Sequence, residues 1–197
     1  MNARRRGGRQ AVAKGASAIV ERSRRGFIGA MGTLVAAPAL LLARRAGAAP
    51  IARSLSFEHT HTGERLALTY AMGDAYLPQA LDLLRRFLRD FRNGEMHAID
   101  PGLLDQLHRL ATVTGTGAPF QVISAYRSPA TNRQLRERSH GVAARSLHLT
   151  GQAIDIRLAD VALGDLRDAA LALRAGGVGF YPSSDFVHVD TGRVRRW

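Results

Sequence analysis

The sequence predicts an α+β fold in which an antiparallel-rich mixed sheet is flanked by helices. Some segments alternate apolar and polar residues, which is typical of half-buried strands. Others carry apolar residues at every third or fourth position, which is typical of amphipathic helices. The main helices come first and a mixed set of strands follows, an order that favours α+β over repeated βαβ units.

The first predicted element is an edge β-hairpin. Residues 54–58 and 65–70 alternate apolar and polar side chains, and Thr62-Gly63 lies in the turn between them. His59 and His61 stand at the tip, two residues apart, so they could share a face and hold a metal. Because nothing near them supplies further ligands, a place on the hairpin rim or in a substrate groove is the better interpretation.

Two helices follow the hairpin. The segment 78–91 has apolar residues at helical spacing, a proline suited to the first turn, and a stop signal at Asn93-Gly94. Its arginines fall largely on the other side, which predicts a solvated face. A second helix is expected from Asp100-Pro101 to about residue 112, with its leucines pointing inward.

The remaining segments alternate between strands and helices. We expect a strand at 120–124, a short helix at 130–137, a polar loop at 139–147, a strand at 152–158, a helix at 163–173, and closing strands at 178–180 and 186–189. In the strand at 152–158, Asp155 lies on the face opposite Ile154 and Ile156. That strand therefore aims a carboxylate away from its apolar side.

Residues 1–48 have the features of an export signal. They contain ten of the 28 Lys and Arg residues and only one of the 16 acidic residues. Ser23–Ile28 is similar to a twin-arginine (Tat) signal, and a mildly apolar run follows it. Ala46–Ala48 has the small-x-small form of a cleavage site. We expect a signal peptide at 1–48, with cleavage after Ala49 as the alternative, and a mature periplasmic domain at 49–197.

The charge and the apolar content disfavour two classes of partner, nucleic acid and membrane. The formal net charge of +12 suggests nucleic acid, but residues 49–197 hold 18 basic and 15 acidic residues, close to balance. The apolar run at 27–43 is short and weakly hydrophobic for a membrane span, which needs roughly 20 strongly apolar residues. An uncleaved anchor is the alternative. We expect a monomer without nucleic acid or a stable membrane span.

Two histidines and one carboxylate form a candidate metal site. His148 and Asp155 are seven residues apart with Gly151 between them, and His188 follows on a later strand. Three protein ligands leave a fourth position for water or substrate, as a catalytic zinc requires. A structural zinc would need a fourth protein ligand, which is often cysteine, and the chain contains no cysteine. Asp190 shares a strand face with His188, so it could orient that imidazole or lie in the substrate groove.

These residues carry a family resemblance. The pattern Ser146-x-His148-x-x-Gly151-x-Ala153-x-Asp155 resembles the first metal motif of the LAS metallopeptidases, which include lysostaphin-type enzymes, D-alanyl-D-alanine peptidases and the hedgehog fold. Within this group the chain is most similar to the YcbK-like (MepK-like) murein endopeptidases. The strings that support this choice over about residues 52–197 are Ser124–Ser128, His59–Glu64, Gly177–Tyr181 and His188–Gly192.

The resemblance implies a hedgehog/D-Ala-D-Ala peptidase-like fold and cleavage of peptidoglycan stem peptides. It implies one zinc ion held by His148, Asp155 and His188. It also implies that Arg127 faces the scissile carbonyl or a substrate carboxylate, where a guanidinium could stabilise an oxyanion. A turn-stabilising salt bridge is the alternative for Arg127. The expected substrate contacts are Tyr126, Ser146 and Asp190, although Ser146 could instead support its loop.

The chain departs from the family pattern at the expected general base. Many relatives have Glu three residues before the last histidine, where this chain has Asp185. Asp185 could take a proton from the attacking water, or it could be a turn residue after two serines. Asp190, His140 and His61 are the alternative bases. This departure allows a non-catalytic, zinc-containing cell-wall binding module, and a D,D- or L,D-carboxypeptidase of the same fold is a further alternative.

Overall fold

A mixed sheet and four α-helices make up the part of the chain that the computed structural model describes, residues 50–138 and 142–197. The strands are β1 (Ala52–His59), β2 (Arg65–Met72), β3 (Ala75–Tyr76), β4 (Phe120–Ser124), β5 (Ala153–Arg157), β6 (Gly177–Tyr181), β7 (Phe186–Asp190) and β8 (Arg195–Arg196). The helices are α1 (Pro78–Phe87), α2 (Pro101–Thr114), α3 (Pro129–Arg138) and α4 (Leu163–Leu173). Their content confirms the predicted α+β class with a mixed, antiparallel-rich sheet.

The strand order is β3-β2-β1-β4-β5-β7-β6-β8. The pairs β1–β4 and β6–β8 are parallel, and the other neighbouring pairs are antiparallel. The predicted hairpin β1–β2 is present near one edge of the sheet, where only the two-residue β3 lies beyond β2. Its inner strand β1 joins the rest of the sheet through β4.

One face of the sheet is the apolar core. Ile154 and Ile156 of β5 and Val187 and Val189 of β7 are fully buried there, together with leucines of α2 and α4. Because side chains alternate along a strand, Asp155 and His188 lie on the opposite face. The predicted division of β5 into an apolar face and a carboxylate face is therefore correct.

Helix α1 ends at Phe87, four residues before its predicted last residue, Phe91. The cause is Asp90, which is fully buried and whose carboxylate accepts hydrogen bonds from the amides of Arg92 and Ser128. These bonds turn the chain after α1 and tie it to the start of α3. Phe91 consequently leaves the helix and stacks on His61 at the hairpin tip, with ring centroids 4.3 Å apart.

Some predictions fall on segments that the structure leaves undescribed. The proposed signal peptide at 1–48 and the alternative base His140 lie outside the described residues. Within residues 50–138 and 142–197, no helix has both the length and the apolar character that crossing a membrane requires.

Candidate metal centre

Three side chains from three different elements meet on the open face of the sheet. His148 Nε2 lies 3.3 Å from Asp155 Oδ1 and 3.2 Å from His188 Nδ1. His188 Nδ1 lies 2.9 Å from Asp155 Oδ1. The three residues are 3–8% exposed, and each offers one nitrogen or oxygen atom to a common point. The structure thus brings together the predicted metal trio.

Strand pairing positions two members of the trio. Asp155 of β5 is directly opposite His188 of β7 in an antiparallel register. Residues that face each other across such a pair point their side chains to the same side of the sheet. His188 is also opposite Gly179 of β6, whose missing side chain leaves space beside the imidazole.

A single 3-10 turn, Leu147–Thr150, positions the third member. Ser146 caps this turn, with its Oγ 3.4 Å from the amide of His148. Gly151 ends it with φ +66°, and a Cβ there would lie 2.0 Å from the carbonyl oxygen of Ala98. Only glycine satisfies both the left-handed backbone and this close approach, so Gly151 directs the chain from His148 into β5.

Each imidazole is held through the nitrogen that faces away from the trio. His148 Nδ1 is 2.6 Å from the carbonyl oxygen of Ala125, and His188 Nε2 is 3.0 Å from Asp190 Oδ2. Both partners are acceptors, so both outer nitrogens carry the proton and donate it. The inner nitrogens, His148 Nε2 and His188 Nδ1, face each other and Asp155 Oδ1, and a metal would bind them there in place of any proton. Outer partners of this kind are typical of histidines that bind metals.

Asp190 is the centre of a buried polar network. Its side chain is fully buried and accepts hydrogen bonds from the amides of Gly177 and Gly192 at 3.0 and 2.9 Å. Arg195 donates to both carboxylate oxygens at 3.0 and 2.7 Å, the bidentate geometry that arginine favours. Asp190 does not line the cavity, so the expectation that it contacts substrate disagrees with its position.

The pKa shifts show which groups are ready to bind a cation. Burial would raise the pKa of Asp155, but His148 and His188 lower it well below the usual range. For Asp190, burial is likewise outweighed by His188 and Arg195, and its pKa is also lowered. Burial lowers the pKa of His148. Asp155 is therefore an anion and His148 a neutral imidazole at neutral pH, as metal ligands must be. For His188, burial lowers the pKa but hydrogen bonds to Asp155 and Asp190 outweigh it and raise the pKa, so a metal must displace a proton from this ring.

The donor set suits zinc. Imidazole nitrogen and carboxylate oxygen bind zinc at roughly 2.0–2.2 Å, which in a tetrahedral site separates neighbouring ligand atoms by roughly 3.3 Å. The three separations here, 2.9, 3.2 and 3.3 Å, are close to that value. Among the described residues these three alone group as candidate ligands, so a zinc ion held by them would keep a position for water or substrate.

Arg127 lies beside the trio with its hydrogen-bonding capacity largely unused. Its Nη2 is 3.6 Å from Asp155 Oδ2 and 3.5 Å from Ser124 Oγ, and its Nη1 is 3.5 Å from Asn132 Oδ1. Its Nε is buried and has no partner among the described residues. Burial lowers the pKa of this guanidinium. A buried cation with long, weak contacts is suited to a ligand that arrives from the cavity.

The other predicted site residues are divided between the cavity and the interior. Ser146 lines the cavity as well as capping its turn. Tyr126 is buried, stacks on His97 with centroids 5.1 Å apart, and does not line the cavity. His59 is 1% exposed among aromatic rings, and His61 stacks on Phe91. The structure thus places His59 in a packed cluster, not in a groove.

Asp185 lies at the turn before β7, with φ +55°. Its neighbours Ser184 and Phe186 line the cavity, but its own carboxylate is 63% exposed and lies 2.6 Å from Nη1 of Arg157. The structure therefore does not bring Asp185 together with the trio. Its role as the base stays a prediction.

A cavity of about 440 Å³ opens over the trio. Among the lining residues that were not predicted as site residues are four on or beside strands β6–β8: Tyr181, Phe186, Arg195 and Trp197. One sequence signal could have identified Phe186, because it lies two residues before His188 and so shares its strand face. No local pattern indicates the others, because their positions depend on how β6, β7 and β8 pair.

Comparison with known proteins gives a consistent result. A family model described as "Peptidoglycan L,D-endopeptidase MepK" matches residues 47–197. The chain is 49% identical over 148 residues to the peptidoglycan L,D-endopeptidase MepK of Escherichia coli K12, which covers 75% of this chain and 81% of that protein. It is also 42% identical over 149 residues to a probable peptidoglycan L,D-endopeptidase MepK of Haemophilus influenzae, which covers 75% of this chain and 80% of that protein.

Proposed function

Because this chain belongs to the peptidoglycan L,D-endopeptidase family described as MepK, we propose that it is a zinc-dependent murein endopeptidase that hydrolyses cross-linked stem peptides. One observation supports zinc above the others. His148, Asp155 and His188 present three donor atoms 2.9–3.3 Å apart, and the outer nitrogen of each imidazole is held by a hydrogen-bond acceptor. The chain is thus a peptidase whose site suits metal-assisted hydrolysis.

Zinc, when bound by this trio, supplies a Lewis acid that polarises the scissile carbonyl and acidifies water. The protein provides the surroundings. Asp190 fixes the ring of His188, while the carbonyl of Ala125 fixes the ring of His148. Arg127 stabilises the negative charge that develops on the carbonyl oxygen, because its guanidinium lines the cavity and its Nε has no partner among the described residues.

Hydrolysis requires one proton transfer to the leaving amine. The oxygen of water bonds to the carbonyl carbon, the carbon–nitrogen bond breaks, and a proton from the water reaches the amine nitrogen. We propose Asp185 as the carrier of that proton. Two cavity-lining residues flank it, but its carboxylate must first leave the ion pair with Arg157. That pair is exposed, so it is held by little free energy.

Peptidoglycan as substrate places the site of action outside the cytoplasm. The finer points are proposals: cleavage of an L,D bond, export through the twin-arginine route with removal of residues 1–48, and action as a monomer. The first is supported by the L,D-endopeptidase activity for which the relatives are named, and the second by the Arg-Arg signal pattern in the sequence.

Defined muropeptides test the proposed function. The purified protein is incubated with cross-linked and uncross-linked muropeptides, and products are identified by mass spectrometry. We expect separation of cross-linked stems, and loss of that activity in the His148→Ala variant but not in the control His108→Ala, on helix α2. Release of a terminal residue alone would instead indicate a carboxypeptidase. If no new fragments formed at all, the proposal would be overturned.

A further inference from the structure

Trp197 forms one wall of the cavity over the metal trio. Its ring centroid lies 5.2 Å from that of His188, and its indole packs directly over Gly179. A Cβ at Gly179 would lie 2.7–2.9 Å from the indole atoms, so the strand has no side chain where the ring must lie. The backbone of Trp197 is tied to Val178 and Phe180 of β6, and the guanidinium of Arg195 lies 4.8 Å from the ring centroid.

This fixed indole donates a hydrogen bond to Tyr181. The distance from Trp197 Nε1 to the tyrosine oxygen is 2.7 Å. An indole N–H is only a donor, so the tyrosine oxygen must be the acceptor. The hydroxyl proton of Tyr181 is then left to point elsewhere, and it has no acceptor among the residues that the structure describes.

The ring of Tyr181 is also held in place. Tyr181 is opposite Phe186 in the β6–β7 register, and the two rings stack with centroids 4.6 Å apart and an interplanar angle of 23°. Tyr181 lines the same cavity as His148, Asp155, His188 and Arg127. A fixed donor therefore faces the space that a peptide must enter to reach the trio.

We infer that the hydroxyl of Tyr181 is a catalytic hydrogen-bond donor to the carbonyl oxygen of the scissile peptide, and that Trp197 is the positioning residue that orients it. Arg127 and Tyr181 would then share the stabilisation of the developing oxyanion, one as a cation and one as a neutral donor. A preorganised donor of this kind costs no reorientation during the reaction. The inference rests on the proposed function, because it deepens the chemistry of that same site.

Removal of one oxygen atom tests the role of Tyr181. Tyr181→Phe keeps the stacked ring and deletes the donor, so we expect kcat on a defined cross-linked muropeptide to fall about 10²–10³-fold, as for loss of an oxyanion donor. KM and zinc content should stay within about threefold. The matched control is Tyr76→Phe, which removes a hydroxyl bonded to Asp105 at the other end of the sheet and should leave activity unchanged.

Binding provides a readout that does not depend on turnover. Trp197 is the only tryptophan in the chain, so its fluorescence reports ligands that enter this cavity. A phosphinate analogue of the cross-link resembles the tetrahedral transition state. We expect Tyr181→Phe to weaken the phosphinate about 10²-fold while affinity for an uncleaved product peptide changes less than threefold.

The test of Trp197 is the variant Trp197→Phe, which keeps an aromatic wall but cannot donate to Tyr181. We expect kcat to fall at least tenfold with zinc content unchanged, and the double variant with Tyr181→Phe to be no slower than Tyr181→Phe alone. Unchanged kcat in Tyr181→Phe, or equal loss of phosphinate and product-peptide affinity, would overturn the inference. An inactive wild-type protein would instead refute the proposed function.

Discussion

Asp190→Asn is the substitution whose consequence follows most directly from the geometry. Asparagine has the shape of aspartate, but one carboxylate oxygen becomes an NH₂ group that only donates. Oδ1, which accepts three hydrogen bonds, is best retained as oxygen, so the NH₂ replaces Oδ2 opposite His188 Nε2. The imidazole then has to accept at Nε2, and its proton moves to Nδ1, the atom that faces the trio.

Asp190→Asn should lower both the zinc affinity and the folding stability of the protein. A protonated Nδ1 cannot bind a metal, and loss of such an outer partner typically lowers metal affinity 10–100-fold, about 1.4–2.7 kcal/mol. Arg195 Nη2 also loses its acceptor at 2.7 Å, which costs about 1–3 kcal/mol of folding stability. The variant should therefore be moderately destabilised and should bind zinc weakly.

Zinc affinity is measured by competition with a chromophoric chelator, and stability by urea unfolding of the zinc-free protein. Asp168→Asn is the matched control, since this exposed carboxylate pairs with its sequence neighbour Arg167 and lies outside the metal trio. A folded Asp190→Asn protein with wild-type zinc affinity would refute the argument that Asp190 sets the tautomer of His188.

Three other substitutions test the fold and the site. Gly151→Ala should destabilise the chain by at least 2 kcal/mol, because an alanine in the left-handed conformation costs about 1–2 kcal/mol and its Cβ would lie 2.0 Å from the carbonyl oxygen of Ala98. The control is Gly164→Ala, which has open space around it and should cause no loss of stability in the same urea titration. Burial lowers the pKa of His59 to about 4, so folding keeps it neutral while the unfolded chain binds a proton below about pH 6.5. Protonation of His59 in the unfolded chain should therefore lower the free energy of unfolding by about 3 kcal/mol between pH 6.5 and pH 4. If the His59→Phe variant lost as much stability over this range as the wild type, the argument would be contradicted. Asp185→Asn should lower kcat about 10²–10⁴-fold with KM unchanged, and unchanged kcat would remove Asp185 as the base.

Much of the fold could be predicted because local patterns determine it. The alternation in β5 separates Asp155 from the apolar face, and the helical spacing of α4 reproduces its bounds at residues 163–173. The wrong end of α1 has a tertiary cause. It depends on Asp90 bonding to Ser128, which lies 38 residues away.

The site shows the same contrast. His148, Asp155 and His188 could be identified from residue type and spacing, since few residue types bind zinc. The cavity wall formed by Tyr181 and Trp197 could not, because it arises only when β8 pairs with β6 and places the indole over Gly179. The sequence left three roles open for Asp190, as an orienting residue, a substrate contact or a base, and its complete burial against His188 favours the orienting one.

We propose that His148, Asp155 and His188 hold the zinc ion that this peptidase needs to cut cross-linked peptidoglycan. The most direct measurement follows cleavage of a defined cross-linked muropeptide by mass spectrometry in three states of one protein sample: as purified, after removal of metal by a chelator, and after addition of one equivalent of zinc. We expect cleavage by the purified protein, loss of cleavage after metal removal, and recovery after zinc is added. The His148→Ala variant should be inactive in all three states. Cleavage that continues unchanged after complete metal removal would contradict the claim.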